Sequence, residues 1–200
     1  MKSNTKQITY GGLLLALAIV FQNLRLIPFL NDANPISVFV IGSLVNLVII
    51  VACAKVGLWS AVFIGIIAPL FALMQGHIKL PFMVGMVALG NIVLALGYRI
   101  FKNKPKMKWL GVIVGALAKY GFFVLTVPLA FSWFMGTGVP TAVAANFLGF
   151  AQLITALIGG FLATLVLPIL EKNSPPMKEG RQGSAPQGQD GQTKAPSENT

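Results

Sequence analysis

The stretch WLGVIVGALAKYGFFVLTVPLAF, residues 109–131, decides the fold. It holds one charged side chain, Lys119, near its middle. As a helix it would reach about 34 Å at 1.5 Å per residue. The hydrocarbon core of a bilayer is about 30 Å thick. A run of this length and polarity predicts a membrane-spanning helix, because backbone polar groups inside the bilayer must be satisfied within their own segment.

Working outward, five more runs of the same kind occupy most of the chain. They cover roughly Ile8 to Ile27, Ile36 to Ala54, Leu58 to Met74, Leu80 to Phe101 and Ala144 to Leu170. Asn34 and Pro35 favour a turn entering a helix, and Pro81 suits a first helical turn. Pro69 predicts a kink in span three, and Gly159-Gly160 with Pro168 predict a bend in span six. Lys2 and Lys6 before GGLLLALAIVF resemble a secretory signal. The small-residue triplet Ala16-Leu17-Ala18 lies inside the apolar run, however, so the reading is an uncleaved first span. The expected fold class is all-α: a polytopic membrane protein with six transmembrane helices in one compact bundle. Residues 1–172 form the membrane domain. From Glu171 onward there is no Val, Ile, Leu, Phe, Tyr or Trp, so residues 173–200 read as a disordered cytoplasmic tail.

The chain has 200 residues, 10% of them charged, with a net charge of +10 and a mean hydropathy of +0.78. In a soluble protein that charge would suggest nucleic acid. Here it lies in connections and tails, where it sets topology, and no nucleic-acid partner is expected. Both termini share a side if there are six spans. That side would carry Lys2, Lys6, Lys55, Arg99, Lys102, Lys104, Lys106, Lys108, Lys172, Lys178, Arg181 and Lys194, against Arg25 and Lys79 opposite. The termini are therefore expected in the cytoplasm. The segment from Arg99 to Lys108 reads as a topology determinant or as a contact for anionic lipid or a partner.

Catalytic motifs are absent. The single Cys53 sits in an apolar run and allows no intramolecular disulfide. The single His77 has no second His or Cys near it to make a metal site. No carboxylate lies in any span, and Asp32 is the only acidic residue before Glu171. A proton relay and nucleotide hydrolysis by this chain are both unexpected. No enzyme, cofactor or metal site is predicted.

Lys119 is costly where it stands, by roughly 2.5–3.5 kcal/mol on insertion scales. It has polar companions at similar depth. Asn46, Asn91 and Gln152 fall about 12–15 Å from the outer surface by helical rise, with Gln22 shallower and Asn146 nearer the outer end of span six. One reading makes these residues hydrogen-bonded glue between helices; the other makes them the lining of a ligand cavity opening outward. Trp133 in the outer connection 133–140 reads either as a lid that stacks on a ligand or as an interfacial aromatic. Gly12 and Ala16 make a small-xxx-small face on span one, suited to close approach of another helix.

With GGLLLALAIVF, AKVGLWSAVFIGIIAPLFAL and GALAKYGFFVLTVPLAF in six spans, residues 5–170 resemble the substrate-binding S-components of energy-coupling factor (ECF) vitamin transporters. In that family the joint between spans two and three is a short basic-Gly turn, as in Lys55-Val56-Gly57. The resemblance implies a vitamin or related micronutrient bound from the outside. It also implies a T subunit meeting the Gly12 and Ala16 face, two ATPase subunits, and a bacterial plasma-membrane location. Lys119 favours an anionic group on the ligand. The competing reading is a non-transporting scaffold or assembly protein of the membrane, resembling the cell-shape protein MreD, with the polar layer as glue.

Overall fold

A computed structural model of the protein describes residues 2–30, 34–102, 104, 107–136 and 141–173, of which 2–4, 135, 141–147 and 173 are described by backbone only. Among these residues every regular element is a helix. Its α-helices are α1 (Lys2–Asn23), α2 (Pro35–Lys55), α3 (Leu58–Met74), α4 (Pro81–Phe101), α5 (Lys108–Met135) and α6 (Thr141–Asn173), with two short 3-10 turns after α1. Five segments are long and apolar enough to cross a membrane: Thr5–Leu26, Pro35–Lys55, Pro81–Phe101, Lys108–Phe134 and Leu148–Lys172. The sixth, Leu58–Met74, is apolar but shorter.

Local chemistry sets the ends. Asn34 caps α2, its side chain accepting from the Ile36 amide at 3.0 Å, and Pro35 takes the first turn, where no N–H is needed. Between α2 and α3 the chain reverses in two residues. Val56 and Gly57 both donate to the Ala52 carbonyl at 2.9 Å, and Gly57 does so at φ 140°, a conformation that favours glycine. The helices extend past the expected spans at several ends. α1 begins at Lys2, and α6 continues to Asn173, into the stretch that reads as tail. The remaining tail, 174–200, lies outside the described residues, as do Asp32 and residues 137–140.

Helices α2, α6, α5, α4 and α3 pack in that order as a closed ring, and α1 lies outside it against α2 and α3. Glycine sets several of the closest approaches. A side chain at Gly97 would meet the Gly115 Cα at 2.5 Å, between α4 and α5. At Gly159 it would meet the Ser43 carbonyl and the Asn46 Cβ of α2, and at Gly160 Val112 of α5. The Gly159-Gly160 pair lies within continuous α6, where it lets α2 and α5 approach. Two apolar clusters fill the ring. The larger includes Ile41, Val48, Ile64, Leu94, Tyr98, Val112, Ala116 and Leu167. The smaller is Met86, Phe123, Val127 and Phe131, with Phe82 and Leu148 against it. The outer surface remains apolar, with Leu13, Phe63, Leu89, Leu117, Leu125 and Leu165 all exposed, as a hydrocarbon solvent requires.

Candidate functional site

On α5 the buried face runs Val112, Ala116, Lys119, Phe123, Val127 and Phe131, spaced by three or four residues. Lys119 thus falls where the larger apolar cluster ends and the smaller begins. It is 1% exposed. Its ammonium donates to the Asn46 Oδ1 at 2.9 Å and to the Asn91 Oδ1 at 2.8 Å. No described residue accepts its third proton, and no carboxylate meets it.

The two amides are themselves held. The Asn46 Nδ2 donates to the Thr155 Oγ1 on α6 at 3.2 Å, and that hydroxyl donates to the Gln152 carbonyl at 3.1 Å. The Asn91 Nδ2 donates to the Gly65 carbonyl on α3 at 3.1 Å. Gly65 stands four residues before Pro69, so the helical donor to that carbonyl is missing. Asn91 replaces it. Pro69 thereby frees the backbone acceptor that anchors the cluster. One hydrogen-bond chain now crosses the ring, from the Gln152 carbonyl through Thr155, Asn46, Lys119 and Asn91 to the Gly65 carbonyl. Both ends are backbone oxygens, which only accept.

Of the residues expected at the site, Lys119, Asn46 and Asn91 come together. Gln152 contributes its carbonyl, while its side chain is half-buried with no hydrogen bond among the described residues. Gln22 is buried apart from them and donates to the Ala68 carbonyl at 3.3 Å, tying α1 to α3. Trp133 is 86% exposed. It lies 14 residues along α5 from Lys119, about 21 Å by helical rise. The neighbouring Phe134 stacks on Phe82 with ring centroids 4.8 Å apart, and Phe82 meets Phe131 edge-on at 5.5 Å. The Asn146 side chain lies outside the described residues. Thr155 and Gly65 were not anticipated. A Thr in an apolar helix is ordinary, but the Gly65/Pro69 spacing was a readable signal.

No family model, curated protein or solved structure matches the chain. Two hydrogen bonds from a charged donor contribute about 1.5–3 kcal/mol each, enough to offset an insertion cost of roughly 2.5–3.5 kcal/mol.

A second set of cations gathers at one end of the ring. The Lys55 Nζ donates to the Leu170 carbonyl at 3.0 Å, and the Lys102 Nζ to the Cys53 carbonyl at 3.5 Å. Lys108 pairs with Glu171 at 2.7 Å. The carbonyl ends of α2, α4 and α6 meet there, and cations suit the partial negative charge of helix C-termini. At the other end of the bundle the Gln75 Nε2 donates to the Asn23 Oδ1 at 2.8 Å, joining α3 to α1.

Gly12 and Ala16 are exposed on α1. A side chain added at Gly12 would meet nothing within 4 Å. The opposite face of α1 holds the bundle, with Ala18 fully buried.

Proposed function

We propose that this chain is the substrate-binding membrane subunit of an ATP-driven importer of the energy-coupling factor type. It would capture a vitamin-like micronutrient bearing an anionic group from the outer side. One observation carries this reading: a buried ammonium on α5 with two neutral partners, a third proton that no described residue accepts, and no counter-charge. An anionic oxygen supplies what that group lacks. The chain itself performs no chemistry. A T subunit would approach α1 along the open face of Gly12 and Ala16, where small residues let helices come close, and two ATPase subunits would supply the energy.

In this reading α3 is the sixth span. Its 17 residues rise about 25 Å, short of a full bilayer core, and it would span with local thinning. The basic end holding Lys55, Lys102 and Lys108 would face the cytoplasm together with both termini. The test is native mass spectrometry of protein purified in mild detergent. A bound anionic small molecule is expected with the unsubstituted chain and is expected to be lost in Lys119→Met.

One observation favours the scaffold reading instead. The two amide oxygens already balance the cost of the lysine, so the cluster is stable as interhelical glue. A protein that carries no small molecule, with Lys119→Met affecting folding alone, would decide for that alternative.

A further inference from the structure

We propose that Thr155 fixes the polarity of the Lys119 site, holding the Asn46 amide oxygen toward the ammonium so that the third Lys119 proton is what the site offers to a ligand atom that accepts a hydrogen bond. The second half of this statement rests on the binding function proposed above; the first half does not.

A side-chain amide has an accepting end and a donating end of nearly the same shape. Turned round, Asn46 would aim two N–H groups at the Lys119 ammonium. What prevents this is the partner at its far end. The proton of the Thr155 hydroxyl goes to the Gln152 carbonyl at 3.1 Å, so toward Asn46 the hydroxyl can offer only a lone pair. It accepts from the Asn46 Nδ2 at 3.2 Å, and the oxygen of that amide is left facing Lys119 at 2.9 Å. On the other side of the ammonium, the Gly65 carbonyl orients Asn91 in the same sense. Each amide thereby turns its oxygen toward Lys119 and commits one N–H away from it. The remaining contact is the third proton of Lys119. A carboxylate or phosphate oxygen suits it best, because the acceptor is charged; an ammonium or amide N–H pointed at the same place does not.

Thr155 has two branches, and they have separable duties. Its methyl faces Gly42 of α2, where an added side chain would come within 3.0 Å of the Cγ2. Its hydroxyl orients Asn46. The experiment separates the two. Full-length protein labelled with 15N-lysine is placed in detergent micelles at one fixed pH. The exchange-protected Nζ resonance of Lys119 is assigned by its absence in Lys119→Met. Thr155→Val keeps the shape and removes the hydroxyl, and is expected to abolish the protected resonance. Thr155→Ser keeps the hydroxyl and removes the methyl, and is expected to retain the resonance while lowering thermal stability. In an Asn46→Asp background Thr155→Val is expected to have no effect on the resonance, since a carboxylate presents an oxygen either way round. This background also serves if Thr155→Val alone fails to accumulate. The proposal is overturned if Thr155→Val retains the resonance, if Thr155→Ser loses it, if Thr155→Val abolishes it in the Asn46→Asp background, or if the unsubstituted protein has no protected Lys119 signal. None of these readings depends on a bound ligand, so failure of the binding function remains distinguishable from failure of the polarity lock.

Discussion

Two of the three Lys119 protons go to amide oxygens whose other ends are already held, and this reverses the sign of a prediction. Taken alone, a buried lysine with no counter-charge is a burden, and its removal would leave stability unchanged or higher. With Asn46 and Asn91 bonded to it, Lys119→Met strands two buried acceptors, at about 1–3 kcal/mol each. We expect a lower unfolding temperature in detergent. If the site binds an anionic ligand, affinity well below that temperature is expected to fall about ten- to a hundredfold, as loss of one charge-assisted hydrogen bond implies; isothermal titration with the copurified molecule measures it. The depth of Lys119, Asn46 and Asn91 was legible in the sequence, because helical rise places them in one layer. Their orientation was not. Depth says nothing of which way round a helix faces, and Gln22, of similar character, turns toward Ala68 instead.

At the scale of the helix, proline and glycine do most of the arranging. Pro69 removes an amide from α3, and Asn91 of α4 supplies another in its place. Asn91→Leu is therefore expected to destabilise the protein both at Lys119 and at the Gly65 carbonyl. Adding Pro69→Ala should restore part of the loss by returning a helical donor to that carbonyl. The unfolding temperature of the double variant against the single one measures the share; no recovery would remove Gly65 from the chain of bonds. Glycines divide by what faces them. Gly159→Ala would press on the Ser43 carbonyl and the Asn46 Cβ, and overpacking of this kind costs about 1–3 kcal/mol. A Cβ at Gly12 meets nothing, so Gly12→Leu should leave unfolding unchanged, and under the proposed importer function it should reduce recovery of a T subunit in pull-downs. Both glycines sit in small-residue surroundings in the sequence. Only the packing distinguishes the one facing α2 from the one facing outward. The helices themselves were far more legible, since apolar length and polar punctuation fix their ends to within a few residues.

For the whole molecule, the cations at one end of the ring bear on its orientation. Lys55 and Lys102 meet helix carbonyls, and Lys108 meets Glu171, so the charges that would hold this end in the cytoplasm also close it. A reporter fused after Thr200 is expected to be active only inside, and one inserted between Gly136 and Val139 only outside. The reverse pattern would reject the assigned side, and two reporters active on the same side would reject α6 as a single crossing. The short α3 was readable as apolar. Its place in the ring was not, because that depends on α4 and α2 flanking it.

The hydrogen-bond chain also has an order in time. Ribosomes deliver a chain from its N-terminus, so α2, α3 and α4 are made before α5. The side chains that accept from the lysine, and the proline-freed carbonyl that steadies one of them, are made before the charged helix. Only Thr155 comes afterwards. Lys119 is thus made after Asn46 and Asn91, and the last helix, through Thr155, supplies the contact that turns the Asn46 oxygen toward it.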